Sequence, residues 1–405
     1  MSGPMSYPQI ALRRGSDRLV LDGHPWIYSG AIDHSSGGMA PGDIVDVVNF
    51  KGRFIGRGYY NKRSNIAARI LTRDAGCPID ARFFAAAIER AHKIRQLHPA
   101  LRDTNAYRIV HGESDGLPGL IVDSYDGFLV VQLHTTGIDR CREAIVEALN
   151  EVVEPRGIYE RSDVGTRRAD GLNDRPTGNL SGEVPPDIVE FQENGVTLQV
   201  DIRRGQKTGF FLDQRDNRLL VQRLARDRSV LDCFAYTGGF SAHALKGGAR
   251  RVLGLDIVPD VARFGMGNLR RNVGESSRFG YAVTDVFKFL DDMTGRGPKF
   301  DMVVLDPPSM LRKNRDIKHA TGVYIKLNRN ALKLVRSGGL FVTASCSTRV
   351  SSDDFLQVVR KAASGAKVQL RILSFNLQPP DHPVDPAFPE GQYLKCIVAA
   401  VDRAD

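Results

Sequence analysis

Apolar and polar positions change rhythm twice along the chain. Between residues 42 and 73 they alternate. GDIVDVVN (42–49), GRFIGRGYYN (52–61) and IAARILTR (66–73) carry apolar side chains at every second position, as half-buried strands do. ARFFAAAIERAHKIRQLH (81–98) then switches to helical spacing, and DRCREAIVEALNEVV (139–153) repeats it. Between them, YRIVHGESDGLPGLIVDSYDGFLVVQLHTTG (107–137) reads as two strands joined by turns, with GLPG and DSYDG as turn chemistry. RGIYERSD (156–163) reads as a further strand. The stretch 168–187, with three Pro and three Gly, reads as a linker or loop.

From residue 191 the rhythm changes again. VTLQVDI (196–202), SVLDCFA (229–235), RVLGLDI (251–257), FDMVVLDPP (300–308) and GLFVTASC (339–346) are continuous, β-branched apolar runs. They alternate with the helical stretches QRDNRLLVQRLA (214–225), FSAHALKGG (240–248), PDVARFGMGNLRRNV (259–273), YIKLNRNALKLV (324–335) and SSDDFLQVVRKAA (351–363). That pattern predicts an α/β domain built on a parallel sheet covered on both faces. The expected organisation is a small β-rich segment at 8–73, an α+β segment at 74–190 and the α/β domain at 191–405.

Composition narrows the class. Hydrophobic residues at 42% and charged residues at 25% are ordinary for a soluble globular protein, which excludes disorder and fibrous repeats. No window approaches the ~18 apolar residues of a membrane helix, and MSGPMSYPQIALRRG lacks a signal-peptide core. The five cysteines at 77, 141, 233, 346 and 396 have no CxxC or zinc spacing, so neither a metal site nor a disulfide framework is expected and a reducing cytoplasm is. The net charge of +9 favours a polyanionic partner. It is concentrated: residues 8–73 hold ten Lys and Arg against five Asp, which suits a solvated basic face or an RNA-binding module. Residues 311–336 hold eight more (312, 313, 315, 318, 326, 329, 333, 336) against Asp316 alone, a solvated face or a guide for a nucleic-acid backbone.

Ligands of an open parallel sheet bind beyond the carboxyl ends of its strands. Those ends carry Asp232, Asp256, Asp285, Asp306 and Cys346. In VLDCFAYTGGFS (230–241), Gly238 and Gly239 open a helix directly after a strand, where glycine admits a ligand close to the backbone. The loop is not GxGxxG, which disfavours a dinucleotide. Asp256, 24 residues after Asp232, suits either ribose hydroxyls or a turn before the next helix. The prolines of VVLDPPSM (303–310) make a rigid turn without donors, leaving Asp306 and the carbonyls to accept from a planar base. A lone cysteine after a strand is usually buried packing, but Cys346 follows the strand neighbouring Asp306. Cys233, inside a strand, reads as packing.

Taken together these motifs resemble the bacterial class I S-adenosylmethionine-dependent RNA methyltransferases that form 5-methylcytosine in large-subunit ribosomal RNA. HPWIYSGAI (24–32) and the following strands are similar to that family's PUA domain. VHGESDGLPGLIVDSY (110–125) and YERSD (159–163) are similar to its central EEHEE domain. GQKTGFFLDQRDNR (205–218), VLDCFAYTGGFS, LDPPS (305–309), SCS (345–347) and DHPVDPAFPEGQYLK (381–395) follow its catalytic domain in order. Ser309 and Met310, where many relatives have a basic or small residue then Phe, and the loop 168–182 depart from it.

The resemblance implies a Rossmann-like class I methyltransferase domain preceded by a small PUA-like β-barrel and an α+β EEHEE domain. It implies S-adenosyl-L-methionine as cofactor, large-subunit ribosomal RNA as partner, and a cytoplasmic enzyme whose oligomeric state stays open, a homodimer included. Gln214, Asp232, Phe234, Tyr236, Thr237, Gly238, Asp256, Asp285 and Asp306 fall on cofactor-binding positions, and Cys346 on the nucleophile. The chemistry explains the thiol: carbon 5 of cytosine is too weakly nucleophilic until a thiolate adds to carbon 6, while Asp306 can hold or protonate ring nitrogen 3. Methylation of an exocyclic base nitrogen, which needs no thiol, is the alternative chemistry. A non-catalytic RNA-binding or ribosome-assembly protein is the alternative class.

Overall fold

The computed structural model of the chain describes residues 7–173, 175, 177–310 and 317–403. Arg312, Lys313, Arg315 and Asp316 of the basic stretch, the side chain of Lys318, and Asp174 and Pro176 of the departing loop lie outside the described residues. The chain forms two compact units: one comprises the residues up to Phe191 with Gln199–Leu212 and Pro380–Gly391, the other Gln192–Leu198, Asp213–Pro379 and Gln392 onward.

The first unit holds two sheets. The alternating runs near the start form a six-stranded sheet in the order Trp26–Tyr28, Ile66–Thr72, Phe54–Tyr60, Asp43–Val48, Gln9–Leu12, Ile32–Ser35. Its alternate residues Ile10, Leu12, Val45, Val47, Ile55 and Ile70 close over a small core with Val20 and Ile27. The second sheet has five strands in the order Gly178–Gly182, Gly157–Glu160, Phe128–Leu133, Leu120–Tyr125, Ala106–His111. The region 107–137 thus contributes three strands where the pattern predicts two. The difference lies in DSYDG: only Asp126 (φ 48°) and Gly127 (φ 80°) turn, a two-residue hairpin loop that leaves Asp123–Tyr125 in the strand. The helix Ala81–Leu97, capped by the Asp80 carboxylate accepting from Phe83 N, lays Phe84, Ile88 and Ala91 on this sheet beside Ile145 and Leu149 of the helix Arg142–Val153.

The second unit is doubly wound. In chain order it contains α1 (Arg215–Leu224), β1 (Ser229–Cys233), α2 (Gly239–Lys246), β2 (Arg251–Asp256), α3 (Pro259–Val273), β3 (Phe279–Val283), α4 (Val286–Met293), β4 (Phe300–Leu305), α5 (Ile317–Lys333), β5 (Val335–Ser345), α6 (Ser352–Ala366), β6 (Gln369–Asn376) and β7 (Lys395–Asp402). The sheet order is β3-β2-β1-β4-β5-β7-β6. The first five strands are parallel, and β7 runs antiparallel between β5 and β6. Helices α1, α2 and α3 pack as one group and α4, α5 and α6 as another, as a sheet covered on both faces requires. VTLQV does not join this sheet: Val196–Val200 pairs with Val189–Glu193 in a separate hairpin. Leu231, Leu255, Val303 and Phe341 fill the core against Leu327 and Leu332 of α5.

Candidate active site

Strand order reverses between β1 and β4. Successive helices leave these strands in opposite directions, which opens a crevice at their carboxyl ends. Cys233 of β1 stands opposite Leu305 of β4, and Leu305 opposite Thr343 of β5. Asp306, one residue past β4, donates its N–H to the Cys233 carbonyl at 3.4 Å. Cys346 follows β5 directly. The register therefore brings Asp232, Asp306 and Cys346 to one edge of the sheet.

The loop after β1 is held in a strained shape. Phe234 (φ 63°) and Tyr236 (φ 48°) occupy the left-handed region that residues with a Cβ avoid, at roughly 1–3 kcal/mol each. Asp256 at the end of β2 pays much of that back: its Oδ2 accepts from Tyr236 N at 3.0 Å and its Oδ1 from Val258 N at 3.1 Å. Tyr281 of β3 donates to the Tyr236 carbonyl at 2.9 Å, and Asn268 of α3 to the Thr237 carbonyl at 2.9 Å. Gly238 (φ 80°) opens α2, and a Cβ there would come 3.3 Å from the Tyr281 hydroxyl. The ring of Tyr281 fits only because Gly254 and Gly265 flank it; a Cβ on either would come within 2.8 Å.

Two polar atoms in this loop region have unmet demand. Asp232 is 1% exposed, and its Oδ2 accepts from Ser241 Oγ at 2.6 Å. Its Oδ1 and the Thr237 hydroxyl have no hydrogen-bond partner among the described residues. Buried polar atoms are seldom left so. Burial pushes the Asp232 carboxyl up to about 6 against the pull of the Ser241 hydrogen bonds, and the nearby Asp256 adds to the rise. A carboxylate oxygen and a hydroxyl waiting beside a glycine-opened helix suit a ligand bearing an ammonium and hydroxyls, which an amino-acid nucleoside such as S-adenosylmethionine carries.

The thiol side of the edge is differently built. Cys346 is partly exposed, whereas Cys233 and Cys396 are buried, and burial drives both of those thiols well above their ordinary range. Tyr324 of α5 is fully buried; Ser345 Oγ donates to its hydroxyl at 3.4 Å and the Met310 backbone also hydrogen-bonds it. Burial raises the Tyr324 phenol, and both Cys346 and Asp306 add to the rise, so its hydroxyl lies in the field of both groups. Lys395 opens β7 opposite Ser345 and is 2% exposed. Its Nζ donates to the Ser347 carbonyl at 2.6 Å and to the Tyr393 carbonyl at 2.8 Å. Neither Tyr324 nor Lys395 stands out in the sequence. The run EGQYLK, ending a polar loop, is the one hint of Lys395.

Other expected site residues have structural duties. Asp285 is exposed and caps α4, accepting from Phe287 N at 2.8 Å and Lys288 N at 3.3 Å. Gln214 is 3% exposed before α1, and its Oε1 accepts from Asn217 Nδ2 at 2.6 Å. In the basic stretch, Lys326 pairs with Asp291 at 2.7 Å and Arg336 with Asp301 at 3.0 Å, so part of it is a neutralised surface.

Comparison with known proteins gives the family and the fold. A family model for S-adenosylmethionine-dependent methyltransferases matches residues 111–394, and a model for PUA-like domains matches residues 10–73. The ribosomal RNA large subunit methyltransferase I of Salmonella arizonae is 37% identical over 390 residues, covering 96% of this chain and 96% of that protein. The protein of the same name from Escherichia coli K12 is 37% identical over 387 residues, covering 96% of this chain and 98% of that protein. The fold matches a solved candidate SAM-dependent methyltransferase from Streptococcus mutans with a TM-score of 0.82 at 21% identity, covering 98% of this chain and 100% of that one.

Proposed function

The chain belongs to the S-adenosylmethionine-dependent methyltransferase family, and from that premise we propose that it methylates carbon 5 of a cytosine in large-subunit ribosomal RNA, using Cys346 as nucleophile. The observation that carries this reading is the partly exposed thiol directly after β5, on the same edge as the Asp306 strand end. The relatives' large-subunit ribosomal RNA target supports the substrate class.

The chain's residues divide the work. Asp232 and Thr237 would offer the acceptors for the cofactor's ammonium and hydroxyls, and Asp256, which keeps that loop in its strained form by pinning Tyr236, would accept from the ribose hydroxyls. Bound S-adenosylmethionine supplies an electrophilic methyl group. The Cys346 thiolate adds to carbon 6 of a cytosine turned out of its stack, which moves electron density onto carbon 5 and ring nitrogen 3. Asp306, in its protonated form, donates to nitrogen 3 while that charge develops. Carbon 5 takes up the methyl group; its proton then passes to water, and that loss expels the thiolate and restores the aromatic ring.

The N-terminal sheet supplies RNA affinity in this reading, with 8–73, 74–190 and 191–405 as RNA-binding, central and catalytic segments. The turn between Asp43–Val48 and Phe54–Tyr60 is rigid, because Asn49 Oδ1 accepts from Lys51 N at 3.0 Å and Arg53 N at 3.1 Å. It holds Phe50 46% exposed, with the Arg14 guanidinium 5.8 Å and the Lys51 ammonium 5.5 Å from the ring centroid. An exposed ring between two cations suits a stacked base with flanking phosphates.

The test is methyl transfer from labelled cofactor to large-subunit ribosomal RNA followed by nucleoside analysis. Label in 5-methylcytidine, and a covalent adduct with RNA carrying 5-fluorocytosine at the target, are expected, since fluorine blocks the proton loss that frees the enzyme. Label in an N-methylated nucleoside would move the chemistry to an exocyclic nitrogen. Cofactor binding with no transfer to any RNA would favour the non-catalytic class.

A further inference from the structure

A thiol attacks only as its thiolate, and Cys346 sits in surroundings that oppose the charge. Asp306 is an acid at the neighbouring strand end, and Tyr324 packs against Ser345 from the α5 side. The group that compensates comes from β7. Lys395 is paired in register with Ser345, and its Nζ is tethered to the carbonyl of Ser347. Lys395 is thus tied to the chain on both sides of Cys346: its backbone by strand pairing to the residue before it, and its ammonium by a hydrogen bond to the residue after it. A 2%-exposed lysine with no carboxylate within ion-pair distance among the described residues is a costly arrangement. Two carbonyls satisfy two of its three N–H donors.

We propose that the Lys395 ammonium is the counter-charge of the Cys346 thiolate, a positioning residue that keeps the nucleophile ionised before RNA arrives. The inference rests on Cys346 being the nucleophile of the proposed function. The proton released by the thiol goes to solvent, which Cys346 reaches because it is partly exposed. The electrostatics agree with the geometry. Burial pulls the Lys395 ammonium down to about 8, and Cys346 works against that fall, as a thiolate beside a cation does. The two charges are mutually supporting: each lowers the cost of the other. Neither Tyr324 nor Asp306 can substitute, because a phenol kept neutral and a carboxylate bring no positive charge.

The experiment is the rate of iodoacetamide alkylation of Cys346 against pH, followed on its own peptide by mass spectrometry in the full-length protein without RNA. The wild-type midpoint should lie below the ~8.5 of a free thiol. Lys395→Met should raise the midpoint by about one pH unit or more, cutting the rate at pH 7 roughly tenfold. Lys395→Arg, which keeps the charge, should stay near wild type. Cofactor affinity, unchanged in both variants, reports that the sheet edge has kept its shape. A wild-type midpoint at or above that of a free thiol overturns the inference without any variant. So does the same profile in Lys395→Met as in wild type, or an equal shift in the Met and Arg variants. These outcomes are separable from the nucleophile reading: if Cys346→Ala still methylates RNA, that reading fails whatever the alkylation profile, and if it does not, a flat comparison across Lys395 variants sinks only the counter-charge.

Discussion

The six-stranded sheet near the start of the chain and the seven-stranded sheet of the second unit deal with polar groups in opposite ways. In the first, the buried Arg57 is matched within the fold, held by Asp46 at 2.6 Å and by the Ala75 carbonyl at 3.1 Å. Its unmatched cations, Arg14 and Lys51 among them, stand in water on rigid turns. In the second, Asp232 Oδ1 and the Thr237 hydroxyl are buried without a partner among the described residues, and the backbone beside them is strained at Phe234 and Tyr236. Unmet buried demand and strain mark a place shaped for a ligand. Cations at a solvated turn make a surface whose contacts are screened by salt. In the proposed function, recognition of a polyanion falls to one sheet and of one small molecule to the other, and the contrast can be broken at either end.

The sharpest break compares two cysteines on the strands that flank β4. Cys346→Ala should abolish methyl transfer and leave cofactor affinity intact, because the thiol touches the base. Cys233→Ala should keep transfer, since that thiol is fully buried and held neutral. Equal transfer by both variants, measured with labelled cofactor, would remove the nucleophile.

The next largest effect is expected at Asp256. Replacing it with Ala removes a charge-assisted acceptor worth about 1.5–3 kcal/mol, so cofactor affinity should fall 10- to 100-fold. Part of the loss acts through the loop, because Tyr236 N and Val258 N lose their acceptor. A calorimetric titration with unchanged affinity would reduce Asp256 to a turn residue.

A smaller, graded effect follows from Asp232. Its carboxyl titrates near 6 in the folded chain, above the ordinary carboxylate range. Between the unfolded value of ~3.9 and 6 the native state holds the extra proton, so stability without cofactor falls as pH rises through that window and is level above it. Cofactor binding has the opposite slope, because only the ionised form offers a full charge to an ammonium. Affinity should be level above pH 6 and weaken roughly tenfold per unit below it. Asp232→Asn should bind more weakly with no such bend; a wild-type curve without the bend would separate Asp232 from the cofactor's charge.

What the chain pattern reveals follows the same divide. The parallel strands β1, β2, β4 and β5 were legible because each is a largely buried apolar run followed by a helix, and the polar residues ending those runs are therefore legible as candidate site residues: Asp232, Asp256, Asp306 and Cys346; β3, mostly half-buried, was not among those runs. The return strands β6 and β7 are not, because no helix separates them and exposed Ile372, Leu373 and Phe375 blur the alternation of the edge strand. For that reason Lys395 was legible only as the end of the run EGQYLK. Its burial depends on pairing with Ser345, a partner fifty residues away. Tyr324 was hidden in a run notable for its lysines and arginines. Asp285 carries two readings at once: its position after β3 suggests a ligand contact, and its Oδ1 caps α4 by accepting from two N–H groups.

The smallest expected effect tests the other half of the comparison. Phe50 is an exposed ring on a turn whose shape is set by Asn49, so its removal should cost the fold little. If a base stacks on it, Phe50→Ala should weaken RNA binding about fivefold, the low end of the ~1–3 kcal/mol range of base–aromatic stacking. Stacking releases no counterion, so the slope of log affinity against log salt should not change. Arg14→Ala should do the reverse in kind: a similar loss at low salt, with the slope smaller by ~0.7–1 as one phosphate contact disappears. Neither variant should alter cofactor affinity, since both lie in the first unit and the unmet acceptors lie in the second. Filter binding of large-subunit ribosomal RNA across a salt series reads all three quantities. Wild-type affinity in Phe50→Ala at every salt concentration would show that the cations act without the ring, leaving charge alone as what the N-terminal sheet offers the RNA.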